Sequence, residues 1–116
     1  MVARRLTDRE LMLVCTLLRG TTHQNDVDKL RAYFVETMSD GGMGSLRFVG
    51  AEERKFGSVL ASAEFEDADG VSVSVTLNLD SAGELFELDI WKTNFAPLIS
   101  IPEPQCIRAT STTGKR

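Results

Sequence analysis

The residues best suited to binding chemistry lie on two predicted neighbouring strands. Glu87, Asp89 and Trp91 alternate along one strand, and alternate residues of a strand point to the same face. Thr76 and Asn78 alternate in the same way on the strand before it. We therefore expect the single tryptophan to lie among carboxylate, hydroxyl and amide groups on an exposed sheet face. Aromatic residues often form the energetic centre of an interface.

Two alternatives to an interface remain open for this face. Trp91 could turn inward at the sheet edge, or the face could be merely solvated. The spacing of Glu87 and Asp89 sets their carboxyl groups ~6–7 Å apart along the strand, which suits acid–base catalysis or a divalent cation. A catalytic pair also needs a cleft that raises the pKa of one carboxyl. An open sheet face supplies no cleft, so we interpret both as solvated carboxylates and predict no catalytic residue.

A glycine-rich segment, DGGMGS at residues 40–45, invites comparison with phosphate-binding loops. Those loops run from a strand to a helix and continue into Lys-Ser/Thr. This segment follows a predicted helix, precedes a predicted strand and lacks the lysine. It is expected to be a tight helix-to-strand reversal, with Asp40 and Met43 as candidate members of a binding edge.

The remaining candidate ligands do not assemble into a cofactor or metal site. The segment DADG at residues 67–70 is too short for a calcium loop and has the form of a turn. His23 is the only histidine and is expected in a loop between the two helices, so we predict neither a histidine-based triad nor a zinc site within one chain. Cys15 is expected to be inert core and Cys106 to lie in a polar tail. We predict no metal and no cofactor.

Two helices are expected in the first third of the chain. Thr7 and Glu10 form a capping box before a helix from residue 8 to 19, whose apolar stripe includes Val14 and Leu18. A second helix, capped by Asn25, is expected to run to Met38 on a helical apolar spacing. Its apolar stripe comprises Val27, Leu30, Phe34 and Met38.

Alternating apolar residues predict four strands after the glycine loop, at residues 46–50, 58–66, 71–80 and 85–92. A three-residue loop at 68–70 pairs Asp67 with Val71 and Phe65 with Val73, and the apolar faces then coincide. At the next turn an odd loop would misplace Phe86, Leu88 and Ile90, so a β-bulge or an even loop is expected there.

The predicted architecture is α+β, with two N-terminal helices packed on one face of a four-stranded antiparallel β-meander. Residues 1–104 form a single domain and residues 105–116 a flexible polar C-terminal tail. The net charge of −4 argues against nucleic acid, whose phosphates need a clustered basic face. The chain has neither a signal peptide pattern nor an apolar run long enough to span a membrane. Its two distant cysteines favour a reducing, cytoplasmic setting.

Four segments together resemble a family of small bacterial proteins of unknown function: residues 5–10 (RLTDRE), 40–45 (DGGMGS), 77–80 (LNLD) and 83–92 (GELFELDIWK). The resemblance runs from about Arg5 to Pro104. It implies a bacterial, cytoplasmic protein and brings no activity or catalytic residue with it. Families of this size and acidity include immunity proteins for polymorphic toxins, which is an analogy.

These observations lead to a non-enzymatic protein-binding module, immunity-like or regulatory, that presents its acidic sheet face to a basic partner. The candidate binding residues are Trp91, Glu87, Asp89, Asn78, Thr76, Asp40 and Met43. The alternative is a small ligand-binding protein or enzyme with a cleft between the glycine loop and the sheet. A homodimer through the open face or an edge strand is a third hypothesis.

Overall fold

The computed structural model describes residues 3–39, 41–50 and 54–112. Two helices and two single turns of 3-10 helix, at Gln24–Asp26 and Pro104–Cys106, accompany the strands. In chain order the helices and strands are β1 (Arg4–Arg5), α1 (Asp8–Leu18), α2 (Val27–Leu30), β2 (Phe34–Thr37), β3 (Leu46–Phe48), β4 (Phe56–Glu66), β5 (Ser72–Asp80), β6 (Leu85–Lys92) and β7 (Arg108–Thr112).

The strands in the described part of the chain form one seven-stranded antiparallel sheet in the order β1-β2-β3-β6-β5-β4-β7. The prediction of a four-stranded meander beneath two N-terminal helices is therefore wrong. The last three predicted strands do run as a meander, β4-β5-β6. The sheet is wider because β1, β2 and β7 add to its edges, and β3 pairs with β6 rather than with β4.

The second predicted helix is the largest error. Helix α2 ends at Leu30, and residues 34–37 form β2 instead of continuing the helix to Met38. The aromatic and β-branched residues of this segment favour an extended backbone. Pairing with β3 then buries Val35 opposite Phe48. The glycine segment is consequently the loop between β2 and β3, not a helix-to-strand reversal.

The first hairpin of the meander has the predicted register. Phe65 pairs with Val73 and Ala63 with Val75, and all four side chains are buried. Gly70 has a φ of +82°, the left-handed conformation that a three-residue turn requires and that glycine adopts without strain. Turn chemistry and hydrophobic pattern therefore specify the same pairing.

The second hairpin contains the predicted bulge. Asn78 pairs with Glu87 while Leu79 pairs with Leu85, so one extra residue of β6 lies between them. That residue is Phe86. Leu85, Leu88 and Ile90 enter the core, but the ring of Phe86 lies beside Arg47 and Arg54. The expectation that Phe86 shares the core face is wrong, because the bulge re-aims its side chain.

The core lies between one face of the sheet and the helices. Thr7 caps α1 as predicted: the backbone N–H of Glu10 donates to Thr7 Oγ1 at 3.2 Å, and the backbone N–H of Thr7 donates to Glu10 Oε1 at 2.9 Å. The helix buries Leu13, Val14, Leu17 and Leu18 against the sheet. The predicted stripe contained only Val14 and Leu18 of these four.

The chain after β6 returns along the sheet and adds an edge strand. Ile101 and Ile107 are buried in the core, and β7 pairs with β4 through Ala63–Ala109 and Glu64–Arg108. Residues 108–112, which the sequence placed in the polar tail, therefore form part of the sheet. No helix among the described residues is long and apolar enough to cross a membrane.

Candidate functional site

The sheet face opposite the core, here called the open face, has no described helix packed on it. Strand register places its side chains in rows across neighbouring strands, and three of these rows contain the predicted residues. The first row contains Glu64, Ser74 and Trp91. The second contains Ser62, Thr76 and Asp89, and the third contains Val59, Asn78, Glu87, Arg47 and Glu36. Five of the seven predicted binding residues therefore share this face: Thr76, Asn78, Glu87, Asp89 and Trp91.

Two exposed aromatic rings meet at one end of the open face. Trp91 is 49% exposed and Phe95 is 64% exposed. Their ring centroids are 4.9 Å apart and the ring planes cross at 84°, an edge-to-face contact. The two rings form the walls of a feature that we call the aromatic corner. Trp91 does not turn inward, which was one of the alternatives for this residue.

The backbone of Phe95 is in an unusual conformation. Its φ is +65°, and it is the only described non-glycine residue with a positive φ. A bulky side chain in this left-handed region costs about 1–2 kcal/mol. The turn is closed by a hydrogen bond from the Phe95 N–H to the carbonyl of Lys92 at 2.8 Å. Local strain thus accompanies the placement of an apolar ring in solvent.

A buried lysine anchors this turn. The side chain of Lys92 is 0% exposed, and its Nζ donates to Asp67 Oδ2 at 2.8 Å, to Asp69 Oδ2 at 2.8 Å and to the Pro97 carbonyl at 3.2 Å. Because Lys92 and Pro97 flank the turn, one ammonium group holds both of its ends. Lys92 and Asp67 are positioning residues for the aromatic corner.

Asp67 is ionised by its surroundings. Burial alone raises the pKa of this carboxyl, but hydrogen bonds from Lys92 and from the backbone N–H groups of Ile99, Ala68 and Ser100 outweigh burial and lower the pKa to about 2. The hydrogen bond from Lys92 to Asp67, followed by the one to Asp69, raises the pKa of the Lys92 ammonium. The cluster therefore stays a salt bridge at neutral pH.

The carboxylates of the open face are mostly paired within the protein. Arg47 Nη2 lies 3.0 Å from Glu87 Oε2, and Arg108 Nη2 lies 3.1 Å from Glu64 Oε2. Asp89 Oδ2 accepts a hydrogen bond from Asn78 Nδ2 at 2.9 Å. Glu87 and Asp89 are thus held by different partners rather than by each other. This arrangement does not provide a general acid and a general base acting on one substrate.

Asn78 lies at the centre of the open face and is only 4% exposed. Its Oδ1 has no hydrogen-bond partner among the described residues. The side chains around it, including the half-buried Glu87, shield it from solvent. Asn78 consequently supports the positions of its neighbours, above all Asp89, and offers little surface to a partner.

The predicted binding edge of the glycine loop does not join the open face. Met43 is 8% exposed, and its Sδ accepts the backbone N–H of Lys92 at 3.3 Å. A Cβ on Gly42 would lie 3.2 Å from Pro97 Cβ, so the loop packs closely against the segment after the aromatic corner. Asp40 lies outside the described residues. These contacts give no support to a cleft between loop and sheet.

One arginine at the sheet edge was missed in the sequence. Arg54 belongs to the polar run EERK at residues 52–55, which is typical of a loop, and residues 52 and 53 lie outside the described residues. Its Nη1 donates to the Phe48 carbonyl at 2.6 Å, its Nη2 donates to the Leu85 carbonyl, and its Nε donates to Asp80 Oδ2 at 2.9 Å. The guanidinium therefore bridges β3 and β6 where the bulge separates them. Polarity alone gave no signal of this role.

The cavities that we describe lie away from the predicted residues. The largest, 490 Å³, is formed by the start of α1 and residues 98–103. A second, 400 Å³, lies beside Tyr33, Gly50 and Arg54. His23 Nδ1 is 2.7 Å from Asp26 Oδ2 in a local pair. Within the described ranges, no group of three His, Cys, Asp or Glu side chains is arranged to hold a metal ion.

A family model described as "Domain of unknown function (DUF6984)" matches residues 3–102. The chain belongs to this family. The predicted resemblance to a family of unknown function is thereby confirmed, whereas bacterial origin stays a prediction. The DUF6984 match includes β1 to β6, the aromatic corner and the Lys92 cluster, and it ends before β7. Neither a curated protein nor a solved structure matches the chain.

Proposed function

We propose that this DUF6984 protein is a non-enzymatic protein-binding module, immunity-like or regulatory, that docks a partner on its open face in the bacterial cytoplasm. The observation that carries the proposal is the aromatic corner. Trp91 and Phe95 expose apolar ring surface to solvent, and Phe95 does so at a cost in backbone strain. Residues in strained backbone conformations persist only where the surrounding structure holds them, and they cluster at functional sites.

The surroundings of the corner resemble the centre of an interface. Tryptophan is among the residues that contribute most to binding when a partner covers them. Small hydroxyl side chains on β4 and β5, such as Ser62, Ser74 and Thr76, leave the neighbouring surface low, so a partner can reach the rings. The polar rows beyond them supply the hydrogen-bonding rim that interfaces have.

Site-directed photo-crosslinking tests this proposal. A photoreactive phenylalanine analogue replaces Trp91 in one sample and Asp28, an exposed residue of α2, in the control. Both are incubated with lysate of the source organism. We expect a specific protein to be captured from position 91 and not from position 28.

The captured protein is then produced in pure form and titrated against the intact chain and Trp91→Ala by calorimetry. Removing the side chain of an interface tryptophan typically costs about 2 kcal/mol of binding free energy, which corresponds to roughly 30-fold weaker binding. Unchanged affinity of Trp91→Ala, or identical capture from both positions, would remove the assignment to this face.

A further inference from the structure

We infer that the aromatic corner binds a cationic side chain, an arginine or lysine that the protein partner places in the recess formed by Trp91 and Phe95. This inference rests on the proposed function and names the chemistry of the partner. Three observations carry it: the geometry of the rings, the charge of the surrounding strands, and the way the turn is held.

The ring geometry leaves faces free for a cation. An edge-to-face contact covers one face of one ring only, so this contact itself leaves both faces of the other ring uncovered. At 84° and 4.9 Å the two rings form a right-angled recess. The negative face of an aromatic ring attracts an ammonium or guanidinium group, and tryptophan does so most strongly.

Charge complementarity selects a cation over a neutral apolar group. Residues 56–92 contain eight acidic residues and a single basic one, Lys92, which is fully buried. Among the described residues, an arginine pairs with three of the eight: Glu64, Asp80 and Glu87. Over this part of the chain, the meander keeps a negative balance after these pairs are counted.

Part of that balance lies beside the corner. Glu64 is the row neighbour of Trp91 across Ser74, and Asp89 precedes Trp91 by two residues on the same face. Glu66 is exposed in the next row. Arg108 pairs with Glu64 at 3.1 Å. An incoming cation therefore meets aromatic ring faces and neighbouring carboxylates.

The turn that carries Phe95 is preorganised for this contact. The Lys92 ammonium fixes Asp67, Asp69 and the Pro97 carbonyl at 2.8–3.2 Å, so both ends of the turn are immobilised. Because the rings are already oriented, a bound side chain does not have to order them.

The test is a nuclear magnetic resonance titration of the ¹⁵N-labelled full chain at constant ionic strength. The probe is N-acetyl-arginine N-methylamide. The matched control probe is N-acetyl-norleucine N-methylamide, which has an aliphatic side chain without the charge. We expect the arginine probe to shift the Trp91 indole N–H and the amides near Phe95 in a saturable manner, with weaker binding at higher salt.

The matched variant is Phe95→Asn, because asparagine tolerates the left-handed conformation and removes only the ring. Loss of one ring from an exposed cation site corresponds to roughly two- to fivefold weaker binding of the arginine probe. A far-ultraviolet spectrum like that of the native chain establishes that the variant is folded.

Equal shifts with the norleucine probe, or a Phe95→Asn variant that binds arginine as well as the native chain, would overturn the cationic assignment. The absence of any saturable shift would do the same. None of these results affects the interpretation of the crosslinking experiment, which detects a partner at position 91 whatever the chemistry of that partner. Failure of this inference and failure of the proposed function are therefore separable.

Discussion

At the scale of single residues, two arginines flank the ring of Phe86 and make different contacts. Arg47 is half-exposed, lies 5.7 Å from the ring centroid and pairs with Glu87. Arg54 is largely buried, lies 5.3 Å from the centroid and donates to two backbone carbonyls and to the buried Asp80. A Cβ on Gly50 would overlap the Arg54 side chain, so the backbone there is shaped around it.

Replacing Arg54 by alanine is expected to lower the free energy of unfolding. Each lost hydrogen bond to a charged group contributes about 1.5–3 kcal/mol, and relaxation of the surrounding residues reduces the total loss. Arg54→Lys should not restore stability, because an ammonium group cannot reproduce the planar fork that reaches two carbonyls and a carboxylate. Urea unfolding followed by circular dichroism measures both variants.

Arg47→Ala is the control for the same ring. It removes an exposed ion pair and a cation–π contact, which together are worth about 0.5–2 kcal/mol. If Arg54→Lys unfolds at the native urea concentration, or Arg47→Ala costs as much as Arg54→Ala, the bridging role of Arg54 is refuted.

At the scale of elements, the two hairpins of the meander are specified by different means. The β4–β5 hairpin follows from its turn and its alternation. The β5–β6 hairpin needs a bulge, and Arg54 donates to the carbonyls of Phe48 in β3 and Leu85 in β6 beside it. A further irregularity lies between Phe56 and Ser58, where β4 passes the end of β5. There a Cβ on Gly57 would overlap the carbonyl of Asp80.

Gly57→Ala is therefore expected to push β4 away from the end of β5. Forcing a methyl group into a closely packed backbone typically costs about 1–3 kcal/mol. The measurement is the thermal midpoint together with hydrogen exchange of the β4 and β5 amides, which should become faster near Phe56 and Asp80 first.

Ser72→Ala provides the comparison at the other end of the same hairpin. Ser72 is exposed, and such surface changes usually stay within about 0.5 kcal/mol. Equal midpoints for Gly57→Ala and Ser72→Ala would show that β4 can move away without loss of packing.

At the scale of the whole molecule, stability is coupled to pH through paired carboxylates. Burial alone raises the pKa of Glu10, Asp67 and Asp80, but hydrogen bonds outweigh it and lower each value in the folded chain: from Arg4 to Glu10, from Lys92 to Asp67, and from the Glu84 N–H and Arg54 to Asp80. A folded pKa below the unfolded one adds stability at neutral pH. That stability is lost as pH falls toward the folded pKa.

For Asp67 the loss extends from its ordinary pKa of 3.8 down to about 2. We expect the urea midpoint to be flat above about pH 5 and to fall steeply between pH 4 and pH 2. Asp67→Asn should start from lower stability and lose less of it over this range, because its side chain does not titrate. Asp28→Asn, outside these pairs, should keep the native slope. An Asp67→Asn slope equal to that of the native chain would contradict this account.

Much of the meander could be predicted because strand pattern and turn chemistry are local. The nine-residue alternation of β5, the capping box of α1 and the conflict at the second hairpin were all visible in the sequence. So was the shared face of Thr76, Asn78, Glu87, Asp89 and Trp91, which depends only on a period of two and on register.

The buried pair of Lys92 and Asp67 also corresponds to a pattern in the sequence. Lys92 follows Leu88 and Ile90 in the core phase, and Asp67 follows Ala63 and Phe65. Two opposite charges at core positions of one meander predict a buried pair. For the bulge, in contrast, the sequence indicated only the approximate position. It did not indicate that the side chain of Phe86 would leave the core face.

The sequence by itself determined the three-stranded meander β4–β6, the capping box of α1 and the face on which Trp91 lies, because these depend on neighbours within a few residues. Tertiary structure alone decided that residues 34–37 leave the helix for β2, that β3 joins β6, and that Arg54 bridges them, because each rests on partners distant in the chain. It also decided the aromatic corner. Phe95 reaches Trp91 only because the Lys92 ammonium, held by Asp67 and Asp69 from another turn, fixes both ends of a strained turn.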